Sequence, residues 1–279
     1  TLARQICTDN FLPRASRFDQ LDDMDWAFGS MGMQDKAKHL ATLYLEDLSD
    51  FIVECIDDNF GFSRYAERLG QSANSFDELY EELQEEKTLI DLITLEIIND
   101  QLKITQPKLV CISVPFPGNL YSALRCGQFI KENYPTIKIA MGGGFPNTEL
   151  RSVSDTRVFE FLDYITLDDG ELPIELLAEA VCSKNNSEAP TFKRTFILDD
   201  GKVVYKNDTI KADYKQIDLG TPDYSDLLLE DYISVIEIAN PMHSLWSDGR
   251  WNKLTMAHGC YWGKCTFCDI SLDYIKIYE

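Results

Sequence analysis

The stretch "KLVCISVPFPGNLYSALRCGQFIKENYPTIKIAMGGGFPN" limits this chain's fold more than any other. Residues 108–114 form a continuous apolar run, as in a strand buried on both faces. Leu120, Leu124, Gly127 and Ile130 then fall on one helical stripe, and "IKIAM" supplies a second apolar run that ends in Gly142, Gly143 and Gly144. "VFEFLDYITL" and "DGELPIELLAEAVC" repeat the pattern as a further strand and helix. Regular strand–helix alternation predicts an α/β fold with a parallel, doubly wound sheet, placed at about residues 101–185.

Around this domain the patterning changes. Residues 1–100 read as a helical region. In "SFDELYEELQEEK", Phe76, Leu79, Tyr80 and Leu83 share a stripe, Ser75 is a candidate N-cap, and the glutamates form a solvated face. "TLIDLITLEIINDQL" is apolar on more sides, which predicts deeper burial. Residues 186–250 read as a hairpin and linker, with Asp200-Gly201 in the hairpin turn. Residues 251–279 begin with "WNKLTMAHGC", an alternating segment expected to be a strand.

Charge and hydropathy exclude some functions. The chain of 279 residues carries 47 acidic against 26 basic residues, a net charge of −21. It lacks the basic footprint that a nucleic-acid backbone requires. No apolar run reaches the roughly 18 residues of a membrane span. The opening "TLARQICTDNFLPRAS" has no apolar signal segment, so the expected location is the cytoplasm. Five of the eight cysteines are scattered among apolar neighbours, where free cysteine packs as a small hydrophobe.

The other three cysteines lie together in "AHGCYWGKCTFCDIS": Cys260, Cys265 and Cys268, spaced C-x-x-x-x-C-x-x-C. Three thiolates on one loop can grip a zinc ion or an iron–sulfur cluster with little further loop closure. A structural zinc site needs a fourth ligand, which His258 or His243 could supply. A plant-type two-iron cluster has this first spacing but requires a fourth cysteine, and none follows Cys268. A four-iron cluster held by three cysteines would leave one iron open, an arrangement suited to catalysis.

The loop, with Phe267 directly before its last cysteine, resembles the cluster loop of the radical S-adenosylmethionine (radical SAM) enzymes. Their usual motif is C-x-x-x-C-x-aromatic-C at the end of the first strand of a (β/α) barrel. The resemblance implies a [4Fe-4S] cluster on Cys260, Cys265 and Cys268, with Phe267 beside the cofactor. The open iron would bind S-adenosylmethionine for reductive cleavage to a 5′-deoxyadenosyl radical. Here four residues separate the first two cysteines where the family has three, and Gly263 is the residue able to absorb a tighter turn.

The preceding domain resembles the cobalamin-binding Rossmann-like domain. Ser113-Val114-Pro115 precedes Gly142-Gly143 by 26 residues, close to that family's Ser-x-Leu and Gly-Gly elements, with Pro115 in place of leucine. Gly170-Glu171 resembles the end of its Gly-Glu-Gly-Glu element. The resemblance implies cobalamin lined by Ser113, Pro115, Gly142, Gly143, Gly144, Asp169 and Gly170. The Asp-x-His-x-x-Gly element is missing, so no histidine is expected below the cobalt. The order of parts matches a cobalamin-binding radical SAM protein, with methyl transfer to an unactivated carbon as the favoured chemistry. Such an enzyme would act as an oxidoreductase or methyltransferase on a small molecule or peptide, fed by an electron donor such as flavodoxin or ferredoxin. Eleven residues follow Cys268, against about 200 for a barrel, so the chain is expected to be the N-terminal part of a longer enzyme. A non-catalytic binding module with a structural Cys3His zinc site is the alternative.

Overall fold

The apolar runs of the sequence become strands where the register of a sheet can use them. The computed structural model describes residues 15–18, 32–62, 65–71, 75–182, 189–223, 225, 227, 257, 259–266 and 272–276. The chain divides into two compact units, Thr1–Phe62 with Thr221–Met256, and Ser63–Gly220 with Ala257–Glu279.

In the first unit the main element is helix α1, Gly32–Cys55. A short 3₁₀ turn, Ala15–Phe18, is pinned to it by charge. The Arg17 guanidinium meets Glu46 at 3.2 Å and Asp50 at 2.8 Å, and also pairs with Asp47. The Phe18 ring packs on Tyr44.

The second unit opens with helices α2 (Glu67–Gln71), α3 (Asp77–Gln84) and α4 (Leu89–Thr105). The α/β part follows as β1 (Leu109–Ser113), α5 (Leu120–Asn133), β2 (Lys138–Gly142), α6 (Gly144–Glu149), β3 (Tyr164–Thr166) and α7 (Glu171–Cys182). A hairpin, β4 (Thr195–Asp199) and β5 (Lys202–Lys206), comes next, and α8 (Asp273–Lys276) lies after the cysteine loop.

The sheet is mixed and its order is β1-β2-β3-β4-β5. β1, β2 and β3 are parallel, whereas β4 runs antiparallel to β3 and β5 antiparallel to β4. The α/β expectation therefore holds, while the sheet is mixed and not wholly parallel, and among the described strands the order shows no reversal. Double winding needs the strand order to reverse, and here each parallel strand is added on the same side of the last. The hairpin read as part of a linker region completes this sheet. Its turn matches expectation: Asp200 and Gly201 both have positive φ, 46° and 73°, the conformation a two-residue turn demands.

Four further expectations are corrected. Among the described residues, the run at 108–114 forms an edge strand, with Cys111 and Ser113 exposed, because an apolar run does not distinguish edge from centre. The first half of "VFEFLDYITL" is a 3₁₀ turn, Thr156–Glu160, that buries Val158 and Phe159. Helix α4 buries Leu95 and Leu102 but leaves Leu92, Ile93, Ile97 and Ile104 exposed, so it is apolar without being deeply buried. Ser75 is not the N-cap of α3: that position is Phe76, which makes no side-chain cap, and the Ser75 hydroxyl, one residue earlier, accepts from the Asp77 N–H at 3.0 Å.

The core follows the two-residue period of β2. Ile139 and Met141 point into the main cluster with Leu124 and Ile130 of α5, while Ala140 joins Leu177 of α7 and Phe192 on the other side. Close approach of α5 requires Gly127, where a Cβ would stand 2.3 Å from the Phe161 carbonyl oxygen.

A buried polar cluster joins the helices to this layer. Arg125 of α5 and Asp91 of α4 are each 2% exposed. The Arg125 Nε lies 3.1 Å from Asp91 Oδ2. Arg125 also donates to the carbonyls of Leu83 at 2.8 Å and Glu82 at 3.1 Å, at the C-terminus of α3. Tyr121 donates to Asp91 at 2.8 Å and accepts from Arg125 at 2.7 Å. Asp91 also closes the capping box of α4 with Thr88. Removing one member of such a pair leaves an uncompensated buried charge. Asp91→Ala is therefore expected to lower unfolding free energy by about 3–5 kcal/mol in urea titration. The double variant Asp91→Leu with Arg125→Met should recover most of that loss, and a single-variant loss under about 1 kcal/mol would contradict a desolvated pair.

Candidate functional site

Two places in the second unit carry the residues singled out above. The first is the carboxyl edge of the parallel strands, where open α/β sheets take ligands. Ser113 ends β1 and Gly142 ends β2, and they are register partners. The Val114 N–H donates to the Gly142 carbonyl at 2.7 Å, and the Phe145 N–H to the Val114 carbonyl at 2.9 Å. The chain thus turns from β2 into α6 while gripping the end of β1.

That grip explains the three glycines. Gly143 has φ +106°, and a Cβ there would stand 2.8 Å from the Val114 carbonyl oxygen. A Cβ on Gly142 would meet Thr166 Oγ1 at 2.8 Å, and one on Gly144 the Pro115 carbonyl oxygen at 2.8 Å. Each missing side chain is replaced by the protein's own atoms, so the junction itself demands small residues here. Ser113, Pro115 and Gly144 are the members of this set that are exposed.

The loop after β3 is held by charge. Asp168 has φ +61°, a conformation uncommon outside glycine. Its N–H donates to Asn147 Oδ1 at 2.6 Å, and its carboxylate pairs with Arg151 at 2.5 Å. Arg194 donates to the carbonyls of Leu167 at 3.2 Å and Asp169 at 2.8 Å, and its two terminal nitrogens meet Asp213 at 2.8 Å. Burial works against the Arg194 charge, but Asp213, Asp168 and Asp169 outweigh it and raise its pKa. Burial pushes Asp213 up, yet Arg194 and Lys193 draw it below its ordinary value. Sequence reading finds Asp169 and Gly170 but not Arg151, Asn147 or Arg194. Their partners lie 17 to 27 positions away along the chain, and no spacing rule covers such distances.

The second place is the cysteine loop. Cys260 and Cys265 are both half-buried. Gly259 and Gly263 both have positive φ, +77° and +56°, which lets the backbone curl around the first thiol. The Cys260 N–H donates to the Ile275 carbonyl of α8 at 2.9 Å. The Gly263 N–H points at Cys260 Sγ, 3.4 Å away. Backbone N–H groups of Gly263 and Trp262 stabilise the negative sulfur and hold this thiol below its ordinary pKa. Tyr261 and Trp262 are exposed beside it. Phe267, Cys268, His258 and His243 lie outside the described residues, as does most of the expected strand at 251–260; its described residues, Ala257, Gly259 and Cys260, are not in a strand. Among the described residues, no three His, Cys, Asp or Glu side chains gather as a metal set.

The chain matches no family model, no curated protein and no solved structure in three comparisons. Among the described residues, no helix is long and apolar enough to cross a membrane.

A lowered pKa means more thiolate near neutral pH, and thiolate is the form that alkylates. In the metal-free chain, iodoacetamide labelling of Cys260, followed by peptide mass spectrometry, should rise with pH at a lower midpoint than for N-acetylcysteine. A midpoint equal to or above that of the free thiol would contradict the amide donors.

Proposed function

We propose that this chain carries the cobalamin-binding-type domain and the cluster loop of a radical SAM iron–sulfur enzyme. The observation that carries the reading is the loop at 259–268. It combines three cysteines with two left-handed glycines and backbone N–H groups aimed at the first sulfur. Amide donors to sulfur are a general feature that tunes iron–sulfur sites, and a thiol already held low in pKa is ready to ligate.

On this reading Cys260, Cys265 and Cys268 would hold a [4Fe-4S] cluster, and S-adenosylmethionine would be its co-substrate. When bound, the cluster would supply the one electron needed to cleave a carbon–sulfur bond of that sulfonium to methionine and a 5′-deoxyadenosyl radical. The chain's own part is to favour the thiolate form of Cys260 through the amides of Trp262 and Gly263 and to anchor the loop on α8 through the Cys260 N–H. Phe267 would lie against the cofactor. Electrons come from a small carrier such as flavodoxin or ferredoxin, and the cytoplasm is the proposed setting.

The carboxyl edge of β1, β2 and β3 takes cobalamin in this proposal. Its exposed surface is made by Ser113, Pro115 and Gly144, with Asp169 and Gly170 on the adjoining loop. Gly142 and Gly143 act one step removed, by letting β1 and β2 end side by side. The reaction proposed is methyl transfer to an unactivated carbon of a small molecule or peptide.

Anaerobic reconstitution with iron and sulfide tests the cluster. The chain should take up about four irons and four sulfides, with broad visible absorption that fades on reduction. Replacing Cys260, Cys265 or Cys268 by alanine should lower the iron content in each case. A single zinc per chain, resistant to reductant, would overturn the reading in favour of a structural metal site.

A further inference from the structure

Phe116 is the exception among the described phenylalanines of the second unit. The other phenylalanines described there are buried or half-buried, but Phe116 is 67% exposed. It sits just past the end of β1, at the carboxyl edge, between two prolines.

Its backbone is fixed from several directions. Pro117 restricts the residue before it to extended conformations, and Phe116 has φ −137° and ψ 161°. The Asn119 N–H donates to the Phe116 carbonyl at 3.0 Å. On one flank, the Pro115 carbonyl oxygen lies 2.8 Å from where a Cβ on Gly144 of α6 would stand. On the other flank, the Pro117 carbonyl oxygen lies 2.4 Å from the same position on Gly70 of α2. Two glycines from different helices thus admit the loop into close contact on both sides. An exposed ring on a backbone held this way gives up little freedom when a ligand covers it.

We propose that Phe116 is a ligand-binding residue, an apolar platform for a broad ring face at the carboxyl edge of the sheet. A corrin and a nucleoside base both offer such a face. The inference takes the corrin, and in that choice it rests on the functional reading above. The side chain touches the ligand, whereas Gly70 and Gly144 only position the loop that carries it.

Equilibrium dialysis of the chain against hydroxocobalamin, and separately against adenosine triphosphate, tests this. Phe116→Ala is expected to weaken hydroxocobalamin binding about tenfold, the scale of one aromatic contact. Phe116→Trp should keep the affinity, and both variants should keep the wild-type urea midpoint because the side chain is exposed. Unchanged hydroxocobalamin affinity in Phe116→Ala overturns the platform and leaves the cobalamin reading standing. A loss of nucleotide binding instead, with no corrin bound by the wild type, upholds the platform and overturns the corrin. A wild-type chain that binds neither overturns both.

Discussion

The second unit depends on one buried guanidinium. Arg125 projects from α5 into a space closed by α3 and α4, and every donor it has finds an acceptor: Asp91, Tyr121, Gln128 and the last carbonyls of α3. A cation at a helix C-terminus also meets the favourable end of the peptide dipoles. The cluster registers two helices, α3 and α4, against the one that crosses from β1 to β2. It acts as a specification of position more than a source of net stability, since the attraction within a buried pair is largely offset by desolvation.

The 3₁₀ turn that starts the crossover, Pro117–Asn119, is touched by α2 through Gly70. Helix α2 thus holds one flank of the loop between β1 and α5, where Pro115 and Phe116 stand. On the opposite flank, Gly143 and Gly144 bring α6 against the same loop. The carboxyl edge is thus built by backbone contacts that only glycine permits. Among the described strands, the winding of the sheet leaves β1 as its border, unlike a doubly wound sheet, where a reversal of order makes the cleft.

Parts of this were legible in the sequence because they follow from local rules. Asp200-Gly201 announces its turn through the positive φ that those residues accept, and the stripe of Leu120, Leu124, Gly127 and Ile130 announces the buried side of α5. Gly263 was marked by its place between two cysteines, and its backbone is left-handed. Other parts were not legible because they depend on partners distant in the chain. Arg125 looks like any surface arginine of an amphipathic helix until Asp91, 34 residues earlier, closes on it. Strand β1 reads as central because its residues are apolar, yet edge or centre is decided by pairing. Asp168, left-handed after β3, is held by Asn147, Arg151 and Arg194, partners that no local spacing announces.

The cysteine loop is where sequence and structure bear on chemistry together. Its spacing supplies the sulfurs, and its two left-handed glycines and inward N–H groups hold the first thiol below its ordinary pKa. Mössbauer spectroscopy of the oxygen-free chain, reconstituted with isotopically labelled iron, addresses the proposed vacancy most directly. Adding S-adenosylmethionine should shift the signal of one iron of the cluster and leave the rest unchanged. Four irons that stay alike with and without S-adenosylmethionine, or a chain that holds no iron, would contradict the account.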